Sequence, residues 1–91
     1  MPHQRRTVWF EGSVQGVGFR YTACRMAGGF DVVGYVRNLP DGRVECVVEG
    51  EPRQIEAFLA ELRRQMSDYV TGWTQQTGPG TGDLHSFTMR Y

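Results

Sequence analysis

Lysine is absent from this chain; all ten basic residues are arginine. That absence removes a P-loop lysine, a Schiff-base lysine and a lysine general base together. Cysteine and histidine are scarce. Cys24, Cys46, His3 and His85 include no Cys-x-x-Cys pair and no spacing that could assemble a zinc site. No stretch approaches the ~20 apolar residues of a membrane span, and the apolar run after Met1-Pro2-His3-Gln4-Arg5-Arg6 is too short for a signal peptide. Nor does charge of one sign dominate: ten arginines meet ten acidic residues. This balance argues against a general nucleic-acid or membrane-surface binder. The expected setting is the cytoplasm, with both thiols reduced.

What the chain does have is glycine, 12 in 91 residues, and apolar positions at regular spacing. Its length fits one domain over residues 1–91, with about the first five as a flexible tail, and a monomer. Thr7 to Ser13 reads as a strand, rich in β-branched and aromatic residues. From Tyr21 the pattern turns helical, with Ala23, Ala27 and Phe30 on one face and Gly28-Gly29 weakening the end. Val32 to Asn38 is a second strand, Leu39-Pro40-Asp41-Gly42 a turn, and Arg43 to Gly50 a third strand. In that strand Val44, Cys46 and Val48 face one side; Glu45, Val47 and Glu49 face the other, expected to be solvated. Glu51-Pro52 opens a helix whose Ile55, Phe58, Leu59, Leu62 and Met66 form one apolar stripe. Tyr69 to Gln76 reads as a strand, Thr77 to Asp83 as a loop, and Phe87, Met89 and Tyr91 alternate in a short last strand. The order β-α-β-β-α-β with an extra strand predicts an α+β, ferredoxin-like (split βαβ) sandwich: an antiparallel sheet with both helices on one face. That fold hosts many functions and decides none.

The distinctive segment is Gly12 to Arg20, which leaves a strand, passes Gly16 and Gly18, and enters a helix. Such a turn can aim consecutive backbone N–H groups at an anion, and the helix N-terminus adds partial positive charge there. Arg20, a cation in the first helical turn, is unfavourably placed unless an anion lies beside it. From spacing alone, a tight glycine turn with Arg20 solvated is the favoured reading. The spacing G-x-x-x-G-x-G is not the dinucleotide fingerprint. Asn38, before Leu39-Pro40, is a second candidate, although turns favour Asn for their own reasons. The thiols read as inert and buried, His85 as a surface residue, and Trp9 and Trp73 as packed at the edges of the core or on the open sheet face.

Gly12-Ser13-Val14-Gln15-Gly16-Val17-Gly18-Phe19-Arg20 resembles the first signature of the acylphosphatases. Gly34-Tyr35-Val36-Arg37-Asn38-Leu39-Pro40-Asp41-Gly42-Arg43-Val44, continuing to Gly50, resembles the second, and Phe87-Thr88-Met89-Arg90-Tyr91 is similar to the family's closing strand. The resemblance implies the ferredoxin-like fold and hydrolysis of small acyl phosphates to a carboxylate and inorganic phosphate, with no metal or other cofactor. It implies that Arg20 binds the phosphate, that Asn38 positions the attacking water, and that Gln15, Gly16, Val17, Gly18 and Phe19 form the phosphate cradle. Asp31 stands where the family often has glycine. Asp tolerates left-handed backbone better than most residues, so backbone strain is expected there.

Two rival readings come from other classes. RNA-binding modules with the same element order stack bases on aromatics of the first and third strands. Here the third strand has none and carries Glu45 and Glu49, which would repel phosphates. The other rival is a non-catalytic anion- or carbamoyl-phosphate-binding module of the same family, which a phosphate-release assay would separate from an enzyme.

Overall fold

In the computed structural model, which describes residues 3–91, seven elements follow one another: β1 Gln4–Gly12, α1 Phe19–Ala27, β2 Val32–Asn38, β3 Val44–Gly50, α2 Pro52–Gln65, β4 Val70–Pro79 and β5 Phe87–Arg90. The strands form one sheet in the order β4-β1-β3-β2-β5. The first four pair antiparallel, but β5 runs parallel to β2. The sheet is therefore mixed rather than wholly antiparallel. A short strand arriving by a crossover from the far edge can add beside β2 in that direction.

Strand alternation divides the residues between two faces. Val8 and Phe10 of β1, Val36 of β2, and Val44, Cys46 and Val48 of β3 are fully buried against the helices. The α2 stripe Ile55, Phe58, Leu59 and Leu62 is fully buried too, and α1 adds Phe19, Ala23 and Ala27. The alanines of α1 let its backbone come close to the sheet, while Phe58 stacks edge-on to Phe30 and Phe87. Each fully buried large side chain contributes about 1.5–3 kcal/mol relative to exposure.

Several expectations change. Helix α1 begins at Phe19 rather than Tyr21, because Gly18 takes a left-handed conformation (φ 78°) and serves as the N-cap. Strand β4 extends to Pro79, through residues that read as loop, because Thr77, Gly78 and Pro79 pair with Arg6, Arg5 and Gln4. The same pairing orders part of the expected N-terminal tail. Gln4 and Arg5 belong to β1, flanked by β3 and β4, and the His3 carbonyl accepts the Gly80 N–H at 3.0 Å. Met1 and Pro2 lie outside the described residues. Asp31 is not left-handed, since no non-glycine residue described has a positive φ; its N–H donates to Gln54 Oε1 at 2.9 Å.

The open sheet face also differs from the solvated surface expected at Glu45 and Glu49, which are only 8% and 2% exposed. Trp9 Nε1 donates to one Glu45 oxygen at 2.9 Å and Arg37 Nε to the other at 2.8 Å. Over Glu49 lie Arg5 and the chain after β4: the Thr81 N–H and hydroxyl and the Gly82 N–H all donate to its carboxylate. Burial by itself would raise the Glu49 pKa. These donors outweigh burial and hold it below the usual carboxylate value. Trp73, by contrast, lies on the helix side of edge strand β4, 45% exposed, with the Arg63 guanidinium 4.7 Å from its ring centroid. Both cysteines are free, Cys46 in the core and Cys24 half-buried on α1.

Candidate active site

The sheet topology brings the two singled-out segments together. β1 and β2 both pair antiparallel with β3, so their C-terminal ends lie at the same edge of the fold. The loop from β1 to α1 and the turn from β2 to β3 therefore adjoin. Between them is an open cleft of about 150 Å3, with Gly16, Gly18, Arg20, Asn38, Val14 and Met89 among its lining.

The loop is pinned at both ends and bent in the middle. Val14 is fully buried, and Phe19 packs its ring 5.0 Å from that of Phe10. Between these anchors, Gly16 and Gly18 have φ of 79° and 78°, and a Cβ there would meet nothing within 4 Å. Glycine is needed at these two positions for conformation, not for space: an L-residue would be strained by about 1–2 kcal/mol.

Gly18 offers α1 no capping side chain, and the helix has no acidic residue in its first turn. The first intrahelical hydrogen bond runs from the Thr22 N–H to the Gly18 carbonyl at 2.9 Å. The N–H groups of Phe19, Arg20 and Tyr21 thus precede any helical acceptor, the arrangement that favours an anion at a helix N-terminus. Arg20 lies in that turn, on the cleft wall. Its Nη1 donates to the Arg90 carbonyl at 3.1 Å, and its guanidinium lies 5.0 Å from the Tyr91 ring centroid. The side chain is thus steered by a neutral acceptor of the last strand and keeps its charge unmatched by a carboxylate among the described residues. On the next turn of α1, Cys24 has its pKa raised by burial, with Arg20 opposing the shift.

Of the residues singled out from sequence, Gly16, Gly18, Phe19, Arg20 and Asn38 line one cleft. Gln15 and Val17 direct their side chains elsewhere. Val17 leans on the core, and Gln15 Nε2 donates to the carbonyls of Leu39 and Arg43 at 2.8 and 3.0 Å. Sequence reasoning missed Met89 as a lining residue and the Arg90 carbonyl as the partner of Arg20. Alternation had located their strand, but not its place beside β2. Among the described residues, no three His, Cys, Asp or Glu side chains group as metal ligands, and no helix is long and apolar enough to cross a membrane.

The acylphosphatase family model matches residues 6–89, which takes in the loop, Arg20, Asn38 and β5 up to Met89. The chain belongs to the acylphosphatase family. An acylphosphatase of Methylococcus capsulatus is 49% identical over 87 residues, which cover 94% of this chain and 95% of that one. An acylphosphatase of Thermococcus kodakarensis is 46% identical over 68 residues, 75% of this chain; the match spans 62% of that relative's length. Among solved structures, the acylphosphatase from Bacillus subtilis superposes with a TM-score of 0.86 at 28% identity, covering 97% of this chain and 99% of that one. This likeness extends to the whole five-stranded sheet with its two helices.

Proposed function

We propose that this cleft hydrolyses the carboxyl-phosphate bond of small acyl phosphates, with Arg20 and Asn38 as its catalytic residues and water as the nucleophile. The observation that carries the reading is the placement of Arg20, in the uncapped first turn of α1, on the same cleft as Asn38.

The substrate's phosphate carries its charge before the reaction begins. The Arg20 guanidinium can hold two of its oxygens in a planar fork. Main-chain N–H groups of the loop from Gln15 to Phe19 and of the first helical turn take the remaining charge, and they need no reorganisation as it shifts during transfer. Asn38 cannot remove a proton at neutral pH, but its amide both accepts and donates hydrogen bonds, so it can hold a water in line with the bond to be broken. The water oxygen bonds to phosphorus, the P–O bond to the acyl group breaks, and the electron pair leaves with the carboxylate. The water's proton passes to a phosphate oxygen. A carboxylate is a weak base and departs without a protein acid, which matches a cleft that has no His, Asp or Glu in its lining.

The groups offered here are cationic and N–H donors rather than the oxygen ligands a hard divalent cation needs. On this reading the reaction proceeds without metal; the same proposal takes its substrates to be small molecules rather than nucleic acid or membrane, and the protein to act as a monomer. A reducing compartment such as the cytoplasm suits its free thiols. Phosphate release from acetyl phosphate, with excess chelator present, tests the reading. Turnover should persist with chelator, disappear in Arg20→Ala, and fall in Asn38→Ala with phosphate affinity nearly unchanged. An intact protein that binds phosphate but releases none from the substrate would instead be a non-catalytic module.

A further inference from the structure

We infer that Gln15 is a positioning residue, whose side-chain amide sets the Asn38 turn at a fixed distance from the loop that carries Arg20. This rests on the roles given above to Asn38 and Arg20. Gln15 Nε2 has two hydrogens and two acceptors, the carbonyls of Leu39 and Arg43, at 2.8 and 3.0 Å. Those same carbonyls close the turn. The Leu39 N–H donates to the Arg43 carbonyl at 2.8 Å, and the Gly42 N–H donates to the Leu39 carbonyl at 3.1 Å. The Gln15 amide therefore grips the turn at both of its closing hydrogen bonds, immediately after Asn38.

The bridge joins segments far apart in the chain, 24 and 28 residues across its two bonds. The loop at its near end is held to the core by Val14 and Phe19. The turn at its far end projects beyond the sheet, with Pro40, Asp41 and Gly42 all exposed. Its local support is Asp41, which accepts the Arg43 N–H at 3.0 Å and Arg43 Nε at 2.8 Å. That contact shapes the turn but does not tie it to the loop. Only a donor can perform the Gln15 task, because both partners are carbonyls. A carboxylate would repel them, and Asn is one methylene too short to span both.

Gln15 is itself exposed, so its bonds compete with water and add little to stability. Their effect is geometric. Phosphate binding depends on the loop and on Arg20, whose anchors do not involve the bridge. The water held by Asn38 must lie in line with the breaking bond, and small misplacements there slow the chemical step. Loss of the bridge should therefore act on kcat and spare affinity.

The experiment compares Gln15→Met, of similar length without donors, with Gln15→Asn and Gln15→Glu, using acetyl phosphate turnover and inhibition by inorganic phosphate. Gln15→Met should lower kcat about ten- to a hundredfold, with KM and the phosphate inhibition constant within about threefold of the parent. Gln15→Asn should fail to rescue and Gln15→Glu should be the slowest. In an Asn38→Ala background, Gln15→Met should cost less than about threefold more, since the group it positions is gone. Full additivity, or a rise in KM and in the phosphate constant with kcat unchanged, would overturn the inference; the second result would make Gln15 a phosphate ligand. Amide hydrogen exchange reads the bridge without catalysis. The Leu39 and Gly42 N–H groups should exchange faster in Gln15→Met, and unchanged exchange would overturn the bridge. If the parent releases no phosphate while exchange does respond, the functional reading fails and the bridge stands.

Discussion

The two ends of the sheet treat charge in opposite ways. Where β1 and β2 finish, the cation Arg20 has a neutral carbonyl for a partner and lies beside N–H groups that precede any helical acceptor. Where β1 begins and β3 finishes, the anion Glu49 is almost completely buried and receives bonds from Arg5, the Thr81 N–H and hydroxyl, and the Gly82 N–H. Glu49 is satisfied within the protein and ties the chain after β4 to the middle of the sheet. Arg20 keeps its charge available to a ligand. Charge satisfied internally supports the fold, and charge left facing a cleft supports binding; the same sheet has one of each at opposite ends.

If this contrast is right, the two ends should respond to different assays. The largest effect belongs to Arg20→Ala, which should lower kcat/KM for acetyl phosphate by about a thousandfold or more. Its unfolding free energy in urea should stay within about 0.5 kcal/mol of the parent, as for other partly exposed sites without a charged partner. Arg20→Lys retains charge without the fork and should remain badly impaired. At the other end, Glu49→Gln should leave kcat within about twofold while lowering stability by roughly 2 kcal/mol. That is below the 3–5 kcal/mol of a fully buried pair, because Arg5 remains partly exposed. The sign of its pH dependence follows from the depressed pKa. The unfolded chain takes up the proton first, so the stabilisation is complete above the ordinary carboxylate value and is lost as pH falls through the folded one. Urea midpoints from about pH 5 down to about pH 3 should therefore fall more steeply for the parent than for Glu49→Gln. Parallel curves would break the comparison. Smaller again is Gly18→Ala, which places a side chain on left-handed backbone in open space. It should cost about 1–2 kcal/mol and some activity, with no clash to relieve.

Much of this contrast lay outside the reach of sequence. Local periodicity was sufficient for β2, β3 and α2, whose apolar residues recur at the spacing of the element they form. It failed where a neighbour decides. Gly78 and Pro79 read as loop, yet β1 recruits them into β4. Alternation placed Glu45 and Glu49 on one face but could not show that Trp9, Arg37, Arg5 and Thr81 cover it. The start of α1 was obscured by Gly18, whose left-handed φ caps the helix that its sequence appeared to interrupt. Arg20 and Asn38, which line one cleft, could be singled out as candidates because each lies in a long motif. The grip of Gln15 on the turn and the Arg90 carbonyl beneath Arg20 depend on strand order, which no single segment encodes.

The smallest expected effect uses a reporter already present at the cleft end. Cys24 lies one helical turn beyond Arg20, half-buried, and its reactivity follows its thiolate fraction. Burial raises its pKa, so alkylation by iodoacetamide should be slow near neutral pH. Arg20 pulls the other way, its positive charge favouring the thiolate. In Arg20→Ala that help is gone, and alkylation should slow by a further few-fold. Inorganic phosphate should have the same direction of effect in the parent, because an anion seated on Arg20 offsets its field at Cys24. It should have none in Arg20→Ala. Cys46, fully buried in the core with its pKa strongly raised by burial, should stay unmodified throughout and serves as the internal control. Mass spectrometry of the timed reaction reads all three. An Arg20→Ala protein that reacts at the parent's rate at equal stability would mean that the Arg20 charge is neutralised inside the protein. The difference drawn between the two ends of the sheet would then be wrong.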